Sequence, residues 1–203
     1  MGRDCEQCGK CANLKEKDTS LCENSYTILV FSENNPGLLS QISAIFTRRQ
    51  VNIDSINSCS SSVPNVHKFT ITCVCTESMV KMLTAQMEKR VDVLQANYYV
   101  DDEIYMLEAA MMKLSTPVVI EHPEISEIIR THGGHIIAMN ATYSIMEKIG
   151  RSATITDLNN QLQEYHAVLQ FVRSGRICIT KSTTEHLDNF LAMREEQRLN
   201  NEK

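Results

Sequence analysis

Apolar and polar positions follow a repeating order along most of the chain. A continuous apolar run, Tyr26–Phe31, predicts a buried strand. The segment Pro36–Arg49 then has apolar residues at the i, i+4, i+7, i+8 spacing of one helical face, namely Leu38, Ile42, Ile45 and Phe46. Strict alternation follows, with Phe69, Ile71, Cys73 and Cys75 on one side, and it predicts a strand with one buried face. We therefore expect Cys73 and Cys75 to be small apolar core residues.

The remaining elements of residues 25–100 complete a known order. We predict strands at Val51–Ser62 and Val91–Tyr99, and a helix at Glu77–Arg90. One side of that helix carries Val80, Leu83, Thr84 and Met87. The order βαββαβ predicts a ferredoxin-like domain, with helices packed on one face of the sheet.

Residues 101–195 repeat this order after a charged break at Asp101–Glu103. The predicted strands are Tyr105–Leu114, Ile136–Met139, Thr142–Ile149, Val168–Val172 and Ile177–Thr180. The predicted helices are Pro123–His132, Ala153–Tyr165 and a last one containing Leu187, Phe190 and Leu191. The fold class expected is therefore α+β, with two ferredoxin-like domains, an extension at 1–24 and a charged tail at 196–203.

The corner between the first strand and the first helix carries candidate chemistry. Asn35 is the predicted N-cap, and Pro36 the first helical residue, where its missing N–H costs nothing. Gly37 lets another molecule approach the backbone closely. Free N–H groups at a helix start suit a carboxylate. Taken alone, the same signals are also compatible with an ordinary strand-loop-helix corner.

The longer segment Glu33–Ser55, ENNPGLLSQISAIFTRRQVNIDS, resembles the ligand-binding segment of an ACT domain. Within that superfamily it is similar to the small regulatory subunit of acetolactate (acetohydroxyacid) synthase. The shared pattern is E-N-x-x-G-x-L-S, a helix ending F-[ST]-x-R, and then N-I-[DE]-S. Three further segments fit the same family: His67–Ile71, Glu88–Leu94 and Phe171–Arg176. The resemblance extends from about residue 26 to about residue 191.

The resemblance implies a partner and a ligand. It implies binding to a large catalytic subunit, activation of that subunit, and feedback inhibition by valine or a related branched-chain amino acid. It also implies a homodimer formed through ACT domains, with the amino acid held between protomers. Thiamine diphosphate, magnesium and FAD would belong to the catalytic subunit, and this chain would bind no cofactor. In the family the C-terminal domain completes the contact with the catalytic subunit.

Asn34 and Asn52 match the family's two ligand-binding asparagines, and Ile53 also lies at a matched position. The amide groups of the asparagines can accept from an ammonium and donate to a carboxylate. Backbone N–H groups near Gly37, Leu38 and Leu39 can receive the ligand carboxylate. Ile53 can form a wall for a branched side chain.

Composition excludes several other classes of protein. The net charge of −5 over 203 residues argues against a nucleic-acid-binding protein. No apolar run is long enough for a transmembrane helix, and residues 1–17 lack the apolar core of a signal peptide, so we expect a cytoplasmic protein. The chain has no phosphate loop, no G-x-S-x-G elbow and no H-E-x-x-H motif, which favours a sensor without catalytic residues, and the resemblance implies that it is a non-catalytic subunit. His132 and His135 flank Gly133-Gly134, and we interpret them as solvated rather than metal-binding.

Residues 1–24 lie outside the resemblance and contain Cys5, Cys8, Cys11 and Cys22. Thiolates at C-x2-C-x2-C-x10-C spacing can bind zinc or an iron–sulfur cluster, but the fourth cysteine of a ferredoxin run is missing. We favour the alternative that these cysteines bind no metal. Zinc and iron measured after anaerobic purification should then be substoichiometric. Stoichiometric metal that is lost on cysteine replacement would establish a metal site instead.

The sequence is also compatible with two other functions. One is a free-standing ACT-type amino-acid sensor that regulates a different partner. The segments at 88–94 and 171–176 count against it, because they match the synthase subunit in particular. The other is a regulator switched by redox state or metal through Cys5–Cys22, which the metal measurement separates.

Overall fold

A computed structural model describes residues 23–182 of the chain. These residues divide into two compact units, one comprising 23–105 with 179–182 and the other 106–178. The predicted final helix and the cysteines at 5, 8, 11 and 22 lie outside the described residues. Within residues 23–182, no helix combines the length and apolar character needed to cross a membrane.

The first unit has the predicted βαββαβ order. Its elements are β1 (Asn24–Glu33), α1 (Leu38–Arg49), β2 (Ser55–Ser60), β3 (Val66–Cys75), α2 (Glu77–Glu88) and β4 (Val93–Tyr99). The strands form one antiparallel sheet in the order β2-β3-β1-β4, so β1 and β3 are central. The ferredoxin-like prediction for this part of the chain is confirmed.

One face of this sheet packs against α1 and α2. Ile28 pairs with Ile71, and Val30 with Phe69, across the two central strands. The helices contribute the side chains that the periodicity predicted, all of them buried: Leu38, Ile42, Ile45, Phe46, Val80, Leu83, Thr84 and Met87. Burial of each large apolar side chain is worth about 1.5–3 kcal/mol, so this face is what holds the helices in place.

Cys73 and Cys75 lie in the same core, as predicted, with 0% and 5% of their surfaces exposed. Their Sγ atoms are 4.0 Å apart. The hydrogen bond with Cys75, together with burial, raises the pKa of the Cys73 thiol. That thiol therefore stays protonated and serves as a small apolar filler.

The second sheet repeats the topology of the first. Its elements are β5 (Ile104–Ser115), α3 (Thr116–Glu121), α4 (Pro123–Thr131), β6 (His135–Met139), β7 (Tyr143–Gly150), α5 (Ser152–Glu164) and β8 (Val168–Thr180). The strand order β6-β7-β5-β8 corresponds position for position to β2-β3-β1-β4. The core of the second unit is formed mainly by β5, α4, β7 and α5.

Two details of the second sheet differ from the prediction. The residues after β5 form a short helix, α3, with Pro117 in its first turn, where the prediction had only a strand end. The predicted break at Ser174-Gly175 is wrong, since β8 continues through it. Gly175 adopts φ +77°, and the Ser174 hydroxyl accepts a hydrogen bond from the Ala109 N–H of β5, so pairing continues through a local irregularity.

The segment Phe171–Arg176 surrounds a buried carboxylate. Glu108 of β5 is 6% exposed and forms ion pairs with Arg173 at 3.0 Å and with Arg176 at 3.6 Å. Arg173 also donates to the carbonyl and hydroxyl oxygens of Ser152 at the start of α5, at 3.0 and 2.7 Å. Glu108 and Arg173 therefore connect β5, β8 and α5.

We expect Glu108→Ala to lower the free energy of unfolding by about 2 kcal/mol, because two arginines lose a buried charged partner. Glu147→Ala is the matched control, since Glu147 is exposed on β7 of the same sheet. The control should change the unfolding free energy by less than about 0.5 kcal/mol. Urea denaturation of both variants measures the difference, and equal effects would contradict a stabilising role for the buried carboxylate.

Candidate functional site

The corner after β1 is a turn closed by glycine. Gly37 has φ +86° and ψ −6°, and the Leu38 N–H points to the Asn35 carbonyl oxygen at 3.5 Å. These angles and the order Asn-Pro-Gly-Leu define a type II turn, with Pro36 and Gly37 at its two central positions. The predicted N-cap at Asn35 and helix start at Pro36 are wrong. The left-handed Gly37 ends the turn, so the helix begins at Leu38.

Asp92 fixes this corner to the start of β4. The Asn35 side chain donates to the Asp92 carboxylate at 2.7 Å, and the Glu33 N–H donates to the Asp92 carbonyl oxygen at 2.9 Å. Sequence reasoning did not single out Asp92. The sequence feature that could have indicated Asp92 is its position within Glu88–Leu94, one of the segments that resemble the family.

The helix start offers unused donors. Gly37 has no side chain to cap α1, and the Gln41 N–H donates to the Gly37 carbonyl oxygen at 3.2 Å. Among the described residues, no acceptor lies in hydrogen-bonding position for the N–H groups of Leu39 and Ser40. A Cβ built on Gly37 would meet no atom within 4 Å. The corner therefore combines free donors with open space, which is the environment a carboxylate needs.

The other predicted site residues are placed as follows. The Asn34 side chain is exposed and makes no hydrogen bond within residues 23–182. Leu38 is buried in the core, whereas Leu39 is 47% exposed. Asn52 is exposed, and Ile53 is half-buried against the core of the first unit.

The predicted start of the second strand at Val51 is wrong, because β2 begins at Ser55. The N–H of Val51 instead bonds the Phe46 carbonyl oxygen and closes the end of α1. Asn52 and Ile53 therefore lie in the connection between α1 and β2, where they are not held by strand pairing.

Asn34 and Asn52 lie at opposite ends of the sheet. Ser55 pairs with Thr72, which pairs with Thr27 near the beginning of β1, whereas Asn34 follows the end of β1. From Thr27 to Glu33 the extended strand rises over six residue steps, which separates the two ends by about 20 Å. One chain alone does not bring these two asparagines to the same ligand.

The strand β2 is an edge of the first sheet, since it pairs only with β3 among the described strands. Its six residues, Ser55–Ser60, are half-buried or exposed. An edge strand has unpaired N–H and C=O groups along its outer side, and a further strand can pair with them.

The two histidines predicted to be solvated lie at the end of α4 and the start of β6. His132 lies at the end of α4, with its Nδ1 atom 2.9 Å from the Ile128 carbonyl oxygen, and His135 begins β6. Within residues 23–182, no three His, Cys, Asp or Glu side chains are grouped as metal ligands would be.

Two family models match the chain on either side of residue 100. The model of the AHAS small subunit-like ACT domain matches residues 28–95. The model of the small subunit of acetolactate synthase matches residues 107–182. Together they cover both sheets described above.

Individual relatives agree with the family models. The acetolactate synthase small subunit of Bacillus subtilis is 27% identical over 154 residues, which cover 75% of this chain and 88% of that protein. The small subunit of Buchnera aphidicola subsp. Baizongia pistaciae is 24% identical over 153 residues, covering 75% and 96%. The crystal structure of the Thermotoga maritima small subunit has the same fold, with a TM-score of 0.71 and 20% identity over 79% of this chain and 99% of that one.

Proposed function

The chain belongs to the family of acetolactate synthase small subunits, and we propose that it binds the large catalytic subunit, activates it and confers inhibition by valine. The observation that carries the proposal is the corner at 34–39 of the ACT domain and the helix start beside it. The N–H groups of Leu39 and Ser40 have no acceptor among the described residues, and a Cβ on Gly37 would meet no atom within 4 Å. A carboxylate is the group such a corner receives best.

An α-amino acid has a partner for the N–H groups at the helix start, for the asparagine amides and for the apolar Ile53. Its carboxylate accepts from the N–H groups of Leu39 and Ser40, where the N-terminal dipole of α1 adds to the attraction. Its ammonium donates to the amide oxygens of Asn34 and Asn52. Ile53 forms part of the wall around a branched side chain. Such a pocket separates ligands by roughly 1–3 kcal/mol per methylene, so leucine and isoleucine compete with valine.

A second copy of the chain supplies the missing half of the site. If two β2 edges pair antiparallel about a twofold axis, the start of β2 in one copy lies beside the end of β2 in the other. The end of β2 is level with the end of β1, because Ser60 and Ser32 both pair with His67. This arrangement brings Asn52 and Ile53 of one copy toward Asn34 and Gly37 of the other.

Regulation follows from this shared site. Valine bound between two chains favours the dimer geometry that contacts it best, and a ligand shifts only states that it distinguishes. Inhibition then requires that this geometry activates the catalytic subunit less well. Thiamine diphosphate, magnesium and FAD belong to the catalytic subunit in this proposal, and this chain contributes no catalytic residue.

The test of the proposed function is acetolactate formation by the cognate catalytic subunit, with and without this chain, across a valine titration. We expect activation by the chain and its reversal by valine. If the chain activates the catalytic subunit but no branched-chain amino acid reverses the activation, the proposed partner is supported and the proposed sensor role is contradicted. No activation would contradict the central proposal and favour a free-standing ACT-type sensor.

Two variants test the site itself. Gly37→Asp should abolish valine inhibition and retain activation, because the added carboxylate has room at this position and repels the ligand carboxylate. Gly37→Asn is the matched control, since asparagine has nearly the same shape, no charge and tolerance for a left-handed backbone. Asn34→Ala should also lose valine inhibition. If Gly37→Asp and Asn34→Ala remain as sensitive as the parent chain, the site is assigned wrongly.

A mixed dimer tests whether the site is shared between chains. Asn34→Ala and Asn52→Ala should each lose valine binding as homodimers. Unfolding and refolding an equimolar mixture should restore about a quarter of the parent's sites, because half of the dimers are mixed and each contains one intact site. Isothermal titration calorimetry with valine measures the number of intact sites per dimer. A tag on one variant verifies that mixed dimers have formed. If valine binding is not restored in those dimers, the site is not shared between chains.

A further inference from the structure

A basic groove lies where the C-terminal halves of α1 and α2 meet. It is lined by Ile45, Arg48, Arg49, Gln86, Lys89 and Arg90. Its volume is about 380 Å³. It is distinct from the corner at 34–39, with which it shares no lining residue. All six residues belong to the first unit.

The charge of this groove is unbalanced. Of the six lining residues that the structure describes, four are cationic and none is a carboxylate, although the chain as a whole has a net charge of −5. Within residues 23–182, none of these four cations forms an ion pair. Like charges around one concavity repel each other, and a bound anion removes that repulsion.

Helix termini account for only part of this arrangement. Arg48 and Arg49 lie in the last turn of α1, where a cation interacts favourably with the helix dipole. The last turn of α2 contains no basic residue, and Lys89 and Arg90 follow the end of that helix. The groove is therefore more cationic than the two dipoles require.

From this geometry we propose that the basic groove binds a compact oligophosphate, a small anion with several phosphate charges. Arginine guanidinium groups bind phosphate oxygens in pairs, and lysine adds a point charge. Among residues 23–182, no aromatic side chain lines the groove to stack on a nucleobase, and Ile45 is the one apolar residue that lines it. This composition favours a compact phosphate anion over a nucleotide held by its base. The inference does not rest on the proposed amino-acid site.

Isothermal titration of the full chain with inorganic pyrophosphate tests the groove without valine or a catalytic subunit. At constant ionic strength we expect one site per chain with a Kd below about 1 mM. The double variant Arg48→Gln/Lys89→Gln should bind at least about tenfold more weakly, because two charge-assisted contacts are lost. Arg48 and Lys89 are exposed, so the fold is retained, and circular dichroism verifies this.

The control variant Arg130→Gln/Arg151→Gln removes the same charge from exposed positions in the second unit and should bind pyrophosphate as the parent does. Three results would overturn the proposal: no binding to the parent at about 5 mM pyrophosphate, equal weakening in both double variants, or equally tight binding of citrate. Equally tight citrate binding would show that the groove attracts anions in general and has no preference for phosphate.

Discussion

The position of β1 in the centre of the first sheet is the constraint on which the proposed amino-acid site depends. This strand pairs with β3 along all ten of its residues and with β4 on its other side. Strand pairing alone therefore fixes where β1 ends. Asp92, which immediately precedes β4, then bonds both Glu33 and Asn35, so the corner leaves the sheet in one direction. The donors of α1 are consequently held at a place that is set by the pairing of β1 and by the bonds between Asp92 and the corner.

Periodicity was enough to predict most of the fold, because one face of each sheet packs against helices that have one apolar side. The alternation at Phe69–Cys75 and the helical spacing at Leu38–Phe46 each admit one arrangement that buries the apolar side chains. Turn chemistry was harder to predict. Pro36 suits both a first helical turn and the second position of a type II turn, and only the left-handed Gly37 distinguishes the two. At Gly175 a glycine was interpreted as a strand end, where it accommodates an irregularity inside β8.

The candidate site required information that a single sequence does not contain. The resemblance selected Asn34 and Asn52, but their separation by a whole strand length follows from the register of β2, β3 and β1. Register depends on which faces are buried, and a shift of one residue would exchange the faces. The basic groove depends even more on tertiary structure. Its cations come from two segments about forty positions apart in the sequence, and they meet only because α1 and α2 pack on the same face of the sheet.

The amino-acid corner and the basic groove share the elements that support them. Helix α1 begins at the corner and ends at the groove, and the connection 89–92 contributes Lys89 and Arg90 to the groove and Asp92 to the corner. The buried side chains of α1 hold this helix on the sheet as one unit, so its two ends move together. A ligand that shifts α1 on the sheet changes the geometry of both places. By linkage, any such effect is reciprocal: the factor by which an anion changes valine affinity equals the factor by which valine changes anion affinity.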